Sequence, residues 1–172
     1  MTQVANTVGT IGALMDLAIQ AERNAEWLYD AIGRRFIDHP EVARFWMNYA
    51  NEEAGHARWM ENLRERVPQI KLAQPAEPDM WQRATKLVNT DLGTLLSGIN
   101  TLQDAWELAN EMEHGETNVI FEFLVAHFSQ DPRTLAFLRV QLRDHIGHLL
   151  TGLPAHLTDA SARGAVKVGK RD

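Results

Sequence analysis

The chain has 172 residues, enough for one domain with a real core and too few for two comfortable ones. Its net charge of −6 argues against nucleic-acid binding, which is driven mainly by Lys and Arg neutralising phosphates. It has 45% hydrophobic residues, an ordinary globular composition, and no cysteine, so disulfides, thiol nucleophiles and cysteine-held zinc or iron–sulfur centres are excluded from it. No apolar run reaches the roughly 20 residues of a membrane span. The opening MTQVANTVGTIGALMDLAIQ has no basic leader region, so neither a membrane anchor nor a secretory signal is expected, and the expected location is cytoplasmic.

Apolar residues recur at three- and four-residue steps through four long segments, the period of an amphipathic helix. The first helix is predicted from about Thr10 to Phe36, with Leu14, Ala18, Ala21, Ala25, Leu28, Tyr29 and Ile32 on one face. The second starts at Pro40, a residue favoured in a first turn, and stops before Pro68. Prolines mark 69–78 as a loop, and Asp79 is placed to cap a short helix to Val88. The third long helix is predicted over Thr101–Phe128, and SQDP (Ser129–Pro132) breaks the chain and starts the fourth, to about Leu153. No segment alternates with period two. Residues 154–172, ending in GAVKVGKRD, read as a flexible tail.

Two short links separated by a long one describe two helical hairpins joined by a crossover, a four-helix bundle over residues 1–153 with a short connecting helix. The halves also repeat. Pro40 and Pro132, Phe45 and Phe137, Gly55 and Gly147, and His56 and His148 are all 92 positions apart. NEEAGH in the first half is answered by RDHIGH in the second.

Within this repeat, Glu53 and His56 are spaced i, i+3, one turn apart on one helix face. Glu113 and Glu116 have the same spacing, as do His145 and His148, and Glu22 lies mid-helix on the apolar face of the first segment. Seven ionisable groups among apolar neighbours are costly to bury unpaired, and a pair of divalent cations would neutralise the glutamates and occupy the imidazoles. Such oxygen and nitrogen donors suit iron, manganese or zinc. Single glutamates and histidines on helices are ordinarily solvated. Glu26, Glu52 and Glu107 are read so, as are His39, His114 and His127, while Asp144 matches Glu52 in the repeat.

The ordered set Glu22, Glu53-Ala-Gly-His56, Glu113-His-Gly-Glu116 and a last pair ending in His148 resembles the ferritin-like superfamily, and within it the rubrerythrin branch. The resemblance spans about residues 10–153. It implies a non-haem di-iron centre held by Glu22, Glu53, His56, Glu113, Glu116 and His148, with Tyr29 matching a tyrosine near the metals. His145 falls where the family has its second bridging glutamate. An imidazole offers one lone pair to one metal where a carboxylate can bridge two. That leaves Glu53 as the clearest bridge and implies weaker binding of one metal, a shifted potential or a mononuclear site. On this basis His145→Glu should raise metal occupancy.

The resemblance further implies redox chemistry on hydrogen peroxide or dioxygen. With no cysteine for a rubredoxin centre, electrons would come from an external donor, a rubredoxin-like protein or a flavoprotein. It also implies a homodimer. The alternatives are ferrous iron oxidation and handling, a metal-free ferritin-like scaffold, and a small-ligand pocket lined by Trp27, Trp46, Trp59 and Trp106.

Overall fold

The computed structural model describes residues 9–128 and 132–169; the side chains of 116, 117, 134, 135, 137–139, 141 and 142 lie outside that description. The described residues form helices and turns, with no strand beyond two isolated bridges, Thr10 with Pro75 and Thr101 with Lys167. Helix α1 is Ile11–Arg35. The Thr10 hydroxyl caps it by accepting from the Ala13 amide at 3.2 Å, and Arg34 and Arg35 complement the negative end of its dipole. Helix α2, Pro40–Arg66, begins with its proline in the first turn and folds back along α1 as a hairpin. Gly33 permits this close approach, because a Cβ there would lie 3.2 Å from the Ala43 carbonyl oxygen.

The stretch after Pro68 is not a plain loop. Gln69–Leu72 makes one helical turn (α3), and α4, Pro78–Val88, is capped by Glu77 rather than Asp79, whose carboxylate pairs with Arg83 instead. A further short helix, α5, Leu92–Gly98, follows with Asp91 as its cap. The periodicity missed α3 and α5 because helices of one or two turns show too little of it.

The third long helix is two helices. Thr101 and Asp104 form a reciprocal capping box at the start of α6, Leu102–Glu113, and α7 runs from Glu116 to Phe128. The break falls at His114-Gly115. A Cβ on Gly115 would stand 3.0 Å from the Glu111 carbonyl oxygen and 3.2 Å from that of Met112, tighter than ordinary contact. The Asn118 side chain donates to the carbonyl of Glu113, satisfying one of the end groups that the break exposes. Helix α8 is Pro132–Thr151; the expected break at Ser129–Asp131 lies outside the described residues.

Residues 154–169 carry structure where a tail was expected. A six-residue helix α9, Ala160–Ala165, packs against α6, and a 3₁₀ turn, Ala155–Leu157, packs against α9. The Leu102 amide donates to Val166, Val168 to Asn100 and Gly169 to Arg35. Leu157 and Arg163 are buried, and the Arg163 guanidinium lies 4.4 Å from the Trp106 ring centroid. Residues 170–172 lie outside the described part.

Among the described residues, two apolar clusters fill the interior. One gathers Leu28, Tyr29, Ile32, Phe45, Trp46 and Tyr49 with Leu102 and Leu149; the other gathers Leu14, Met15, Met60 and Leu63 with Phe121 and Leu124. On α1 the seam between them falls between Ala18 and Ala25, and on α2 between Ala50 and Met60. Glu22 and Glu53 sit in that seam.

Candidate metal centre

Among the described residues the buried polar side chains are few: Glu22, Glu53, Glu113, His145 and Arg163. Four of these five meet at the seam. Glu22 occupies the inward face of α1 one turn after Ala18, and Glu53 the inward face of α2. Glu113 is the last residue of α6, where the helix dipole disfavours an anion and donors must hold it. His145 projects from α8.

Glu53 lies at the centre of the arrangement. Its Oε2 is 3.0 Å from His56 Nδ1, and its Oε1 is 2.9 Å from His145 Nε2. His56 Nδ1 also lies 3.6 Å from Glu22 Oε2, too far for a hydrogen bond. His145 Nε2 is 3.1 Å from Glu113 Oε2. Two sets of donors result, Glu22–Glu53–His56 and Glu53–Glu113–His145, the donor atoms of each lying within 4.8 Å of one another. Glu53 belongs to both.

The outer partners fix these groups. The Tyr29 hydroxyl donates to Glu113 Oε1 at 2.6 Å. His145 Nδ1 lies 2.6 Å from Glu52 Oε2, and its ring stacks on that of Tyr49, centroids 4.2 Å apart. The Tyr49 hydroxyl donates to the His145 carbonyl at 3.1 Å. Tyr49, Glu52, Glu53 and His56 are spaced to share one face of α2, so about two turns of one helix meet the site.

Electrostatics follow from burial and crowding. Burial, and then the neighbouring Glu53 charge, push the Glu22 carboxyl up to about 8 despite the opposing pull of His56. Burial would raise Glu53 too, but the imidazoles of His145 and His56 close beside it hold it well below the usual carboxylate range. Burial works against charge on His56, yet Glu22 and Glu53 push it up to about 10. His145 is pushed up to about 12 against its burial by Glu113, Glu52 and Glu53. Burial and the Glu113 and Glu53 charges keep the Tyr29 hydroxyl protonated.

Of the expected ligands, Glu22, Glu53, His56, Glu113 and His145 converge. His148 does not: its side chain is 57% exposed, and its Nδ1 lies 3.1 Å from Glu52 Oε1 at the edge of the site. The Glu116 side chain lies outside the described residues, and its helix is a different one from that of Glu113. The repeat is therefore unequal in space, since His56 is enclosed while its counterpart His148 is not.

Glu52, read from sequence as solvent-facing, instead links His145 to His148. The one sequence signal near it was its match to Asp144 in the repeat, which names no partner for Glu52; Asp144 itself is exposed beside Arg143. The four tryptophans do not share a pocket. Trp46 is fully buried, Trp27 is half exposed, and Trp59 and Trp106 pack with different clusters.

No protein-family model, curated protein or solved structure gives a significant match to the chain.

Each of the two donor sets could hold a metal ion. Glu22 Oε2 is buried without a hydrogen-bond partner. So is His145 Nε2, which is close to two carboxylate oxygens but aligned with neither as a hydrogen bond. Unpaired buried polar atoms are costly, and here both belong to good ligands for a divalent cation.

Proposed function

We propose that this chain is a dimetal protein of the ferritin-like, rubrerythrin type, with iron as its first metal and manganese or zinc as substitutes. The observation that carries this reading is Glu53, whose two oxygens face two different imidazoles, each accompanied by a second buried carboxylate. A single carboxylate shared in this way is what two adjacent cations require of a bridging ligand. Glu22 and His56 would complete one position, and Glu113 and His145 the other.

When bound, a ferrous pair supplies two electrons to hydrogen peroxide or dioxygen, to be restored by an external rubredoxin-like protein or flavoprotein. The chain's own residues prepare the place for that chemistry. The apolar clusters on either side of the seam keep bulk water away, which strengthens each charge interaction inside. Tyr29 keeps its proton on the phenol oxygen and donates it to Glu113 as a hydrogen bond, leaving the other oxygen of Glu113 toward His145. His56 and Glu22 approach without a formed hydrogen bond, so either is available to a metal without breaking one between them.

The second reading is a metal-free scaffold. It is favoured by one observation, that the histidines already neutralise the buried carboxylates in part, His56 beside Glu53 and His145 beside Glu53 and Glu113.

Metal content separates the two readings. After anaerobic loading with ferrous iron and desalting, mass spectrometry should return two irons per chain. Thermal unfolding should also shift upward, since a ligand bound only by the native state stabilises it. No retained iron, manganese or zinc and an unmoved midpoint would establish the scaffold instead.

A further inference from the structure

We infer that Glu52 and Tyr49 are the positioning residues of His145, and that Glu52 is what makes a histidine rather than a glutamate the fitting ligand at that position. The inference rests on the dimetal reading above. It concerns two residues that are themselves in neither donor set.

An imidazole is a well-directed ligand only when its other nitrogen is held, which fixes both the tautomer and the plane of the ring. His145 is held three ways. Glu52 Oε2 takes its Nδ1 at 2.6 Å, the Tyr49 ring covers one face at an interplanar angle of 26°, and the Tyr49 hydroxyl ties down its backbone carbonyl. The one ring nitrogen left over is Nε2, the atom facing Glu53 and Glu113. Glu52 is held in turn by His148, which takes its other oxygen at 3.1 Å.

The same contacts argue against a glutamate at 145. A carboxylate there would stand among Glu52, Glu53 and Glu113 and would leave Glu52 without its donor. Like charges in a partly buried cluster repel strongly. The sequence expectation that His145→Glu improves the site therefore fails unless Glu52 is neutralised as well. Positions 52 and 145 are a matched pair.

The test uses the full chain and zinc, a probe without redox chemistry. Zinc stoichiometry and affinities are measured by chelator competition for wild type, Glu52→Ala, His145→Glu and the double variant His145→Glu/Glu52→Gln. Histidine ¹⁵N spectra of the zinc-loaded protein report which ring nitrogen of His145 is bound. Wild type should bind two zinc ions with His145 coordinated through Nε2. Glu52→Ala should weaken one of the two sites about 10- to 100-fold and disturb the Nε2 signature. His145→Glu should bind less zinc than wild type, and the double variant should regain it.

The inference is overturned if Glu52→Ala lowers the melting temperature but leaves both affinities and the Nε2 signature intact, as a merely structural residue would. It is equally overturned if His145→Glu binds as well as the double variant. Wild type that retains neither zinc nor iron overturns the dimetal reading, and this inference with it, before any variant is made.

Discussion

Tyr29 and Glu113 are joined by a 2.6 Å hydrogen bond between fully buried Tyr29 Oη and Glu113 Oε1, across 84 positions of sequence. This bond ties the middle of α1 to the end of α6. Glu113 needs it, because the carboxylate stands at the negative end of a helix dipole, away from water. Tyr29→Phe keeps the ring packing against Trp46 and Tyr49 and deletes only the donor. The metal-free protein should lose about 1–3 kcal/mol, the cost of leaving a buried acceptor unpaired. Urea unfolding at constant m-value measures this, and a loss below about 0.5 kcal/mol would mean that Glu113 finds another donor.

Glu53 should be unlike every other ligand in its effect on stoichiometry. Because its two oxygens serve both donor sets, Glu53→Ala should abolish retention of both metals. His145→Ala removes a donor from one set only and should leave one metal per chain. Iron counting on the two variants decides it; full occupancy in Glu53→Ala would move the bridge to another residue.

Proton release should accompany metal binding, and its direction follows from the shifted groups. Glu22 at about 8, His56 at about 10 and His145 at about 12 all hold a proton at pH 7, and each must give one up to coordinate. Metal affinity should therefore rise from pH 6 to pH 8, and calorimetry in buffers of different ionisation enthalpy should register release of protons. The metal-free protein has the opposite trend. These three groups have folded pKa values raised above their unfolded ones, so their stabilising contribution is complete below the unfolded values. Glu22 loses its contribution between about 4.5 and 8, and His56 loses its own from about 6.5 to 10. Glu53, held below its usual range, contributes above about 4.5 and loses that on acidification. Chemical denaturation of metal-free protein at pH 5, 7 and 9 should show stability falling as pH rises.

The long helices were legible because their period and punctuation agree. Thr10, Pro40 and the thirds-and-fourths spacing of α1 and α2 leave little choice of boundary. The placing of Glu22, Glu53 and His56 followed, since all three lie on those two helices. Legibility failed where a short-range device overrode the period. Gly115 and Asn118 end one helix and start another inside a continuous apolar pattern, so Glu113 and Glu116 fall on different helices. It failed again at Glu52, where the outcome depends on a partner 93 positions away that no local pattern encodes.

The C-terminal segment gives the last prediction. Gly, Ser and Ala in 160–169 read as a mobile end, yet Arg163 is buried by three hydrogen bonds, to Gln103 Oε1 at 2.8 Å and to the carbonyls of Thr158 and Leu157 at 2.6 and 3.3 Å. Its guanidinium plane also covers Trp106, whose indole N–H donates to the Leu149 carbonyl at 3.1 Å. One arginine thus links α9 to α6, and through Trp106 to the end of α8. Arg163→Ala removes the cation–π contact and the hydrogen bonds together, at a cost of about 1–3 kcal/mol. Hydrogen exchange locates that loss. The Leu102 and Val168 amides, which donate to Val166 and Asn100 across this junction, should exchange much faster in the variant, while amides in the middle of α1 change only with global stability. Equal protection of Leu102 and Val168 in both proteins would show that the backbone contacts hold the segment without the arginine.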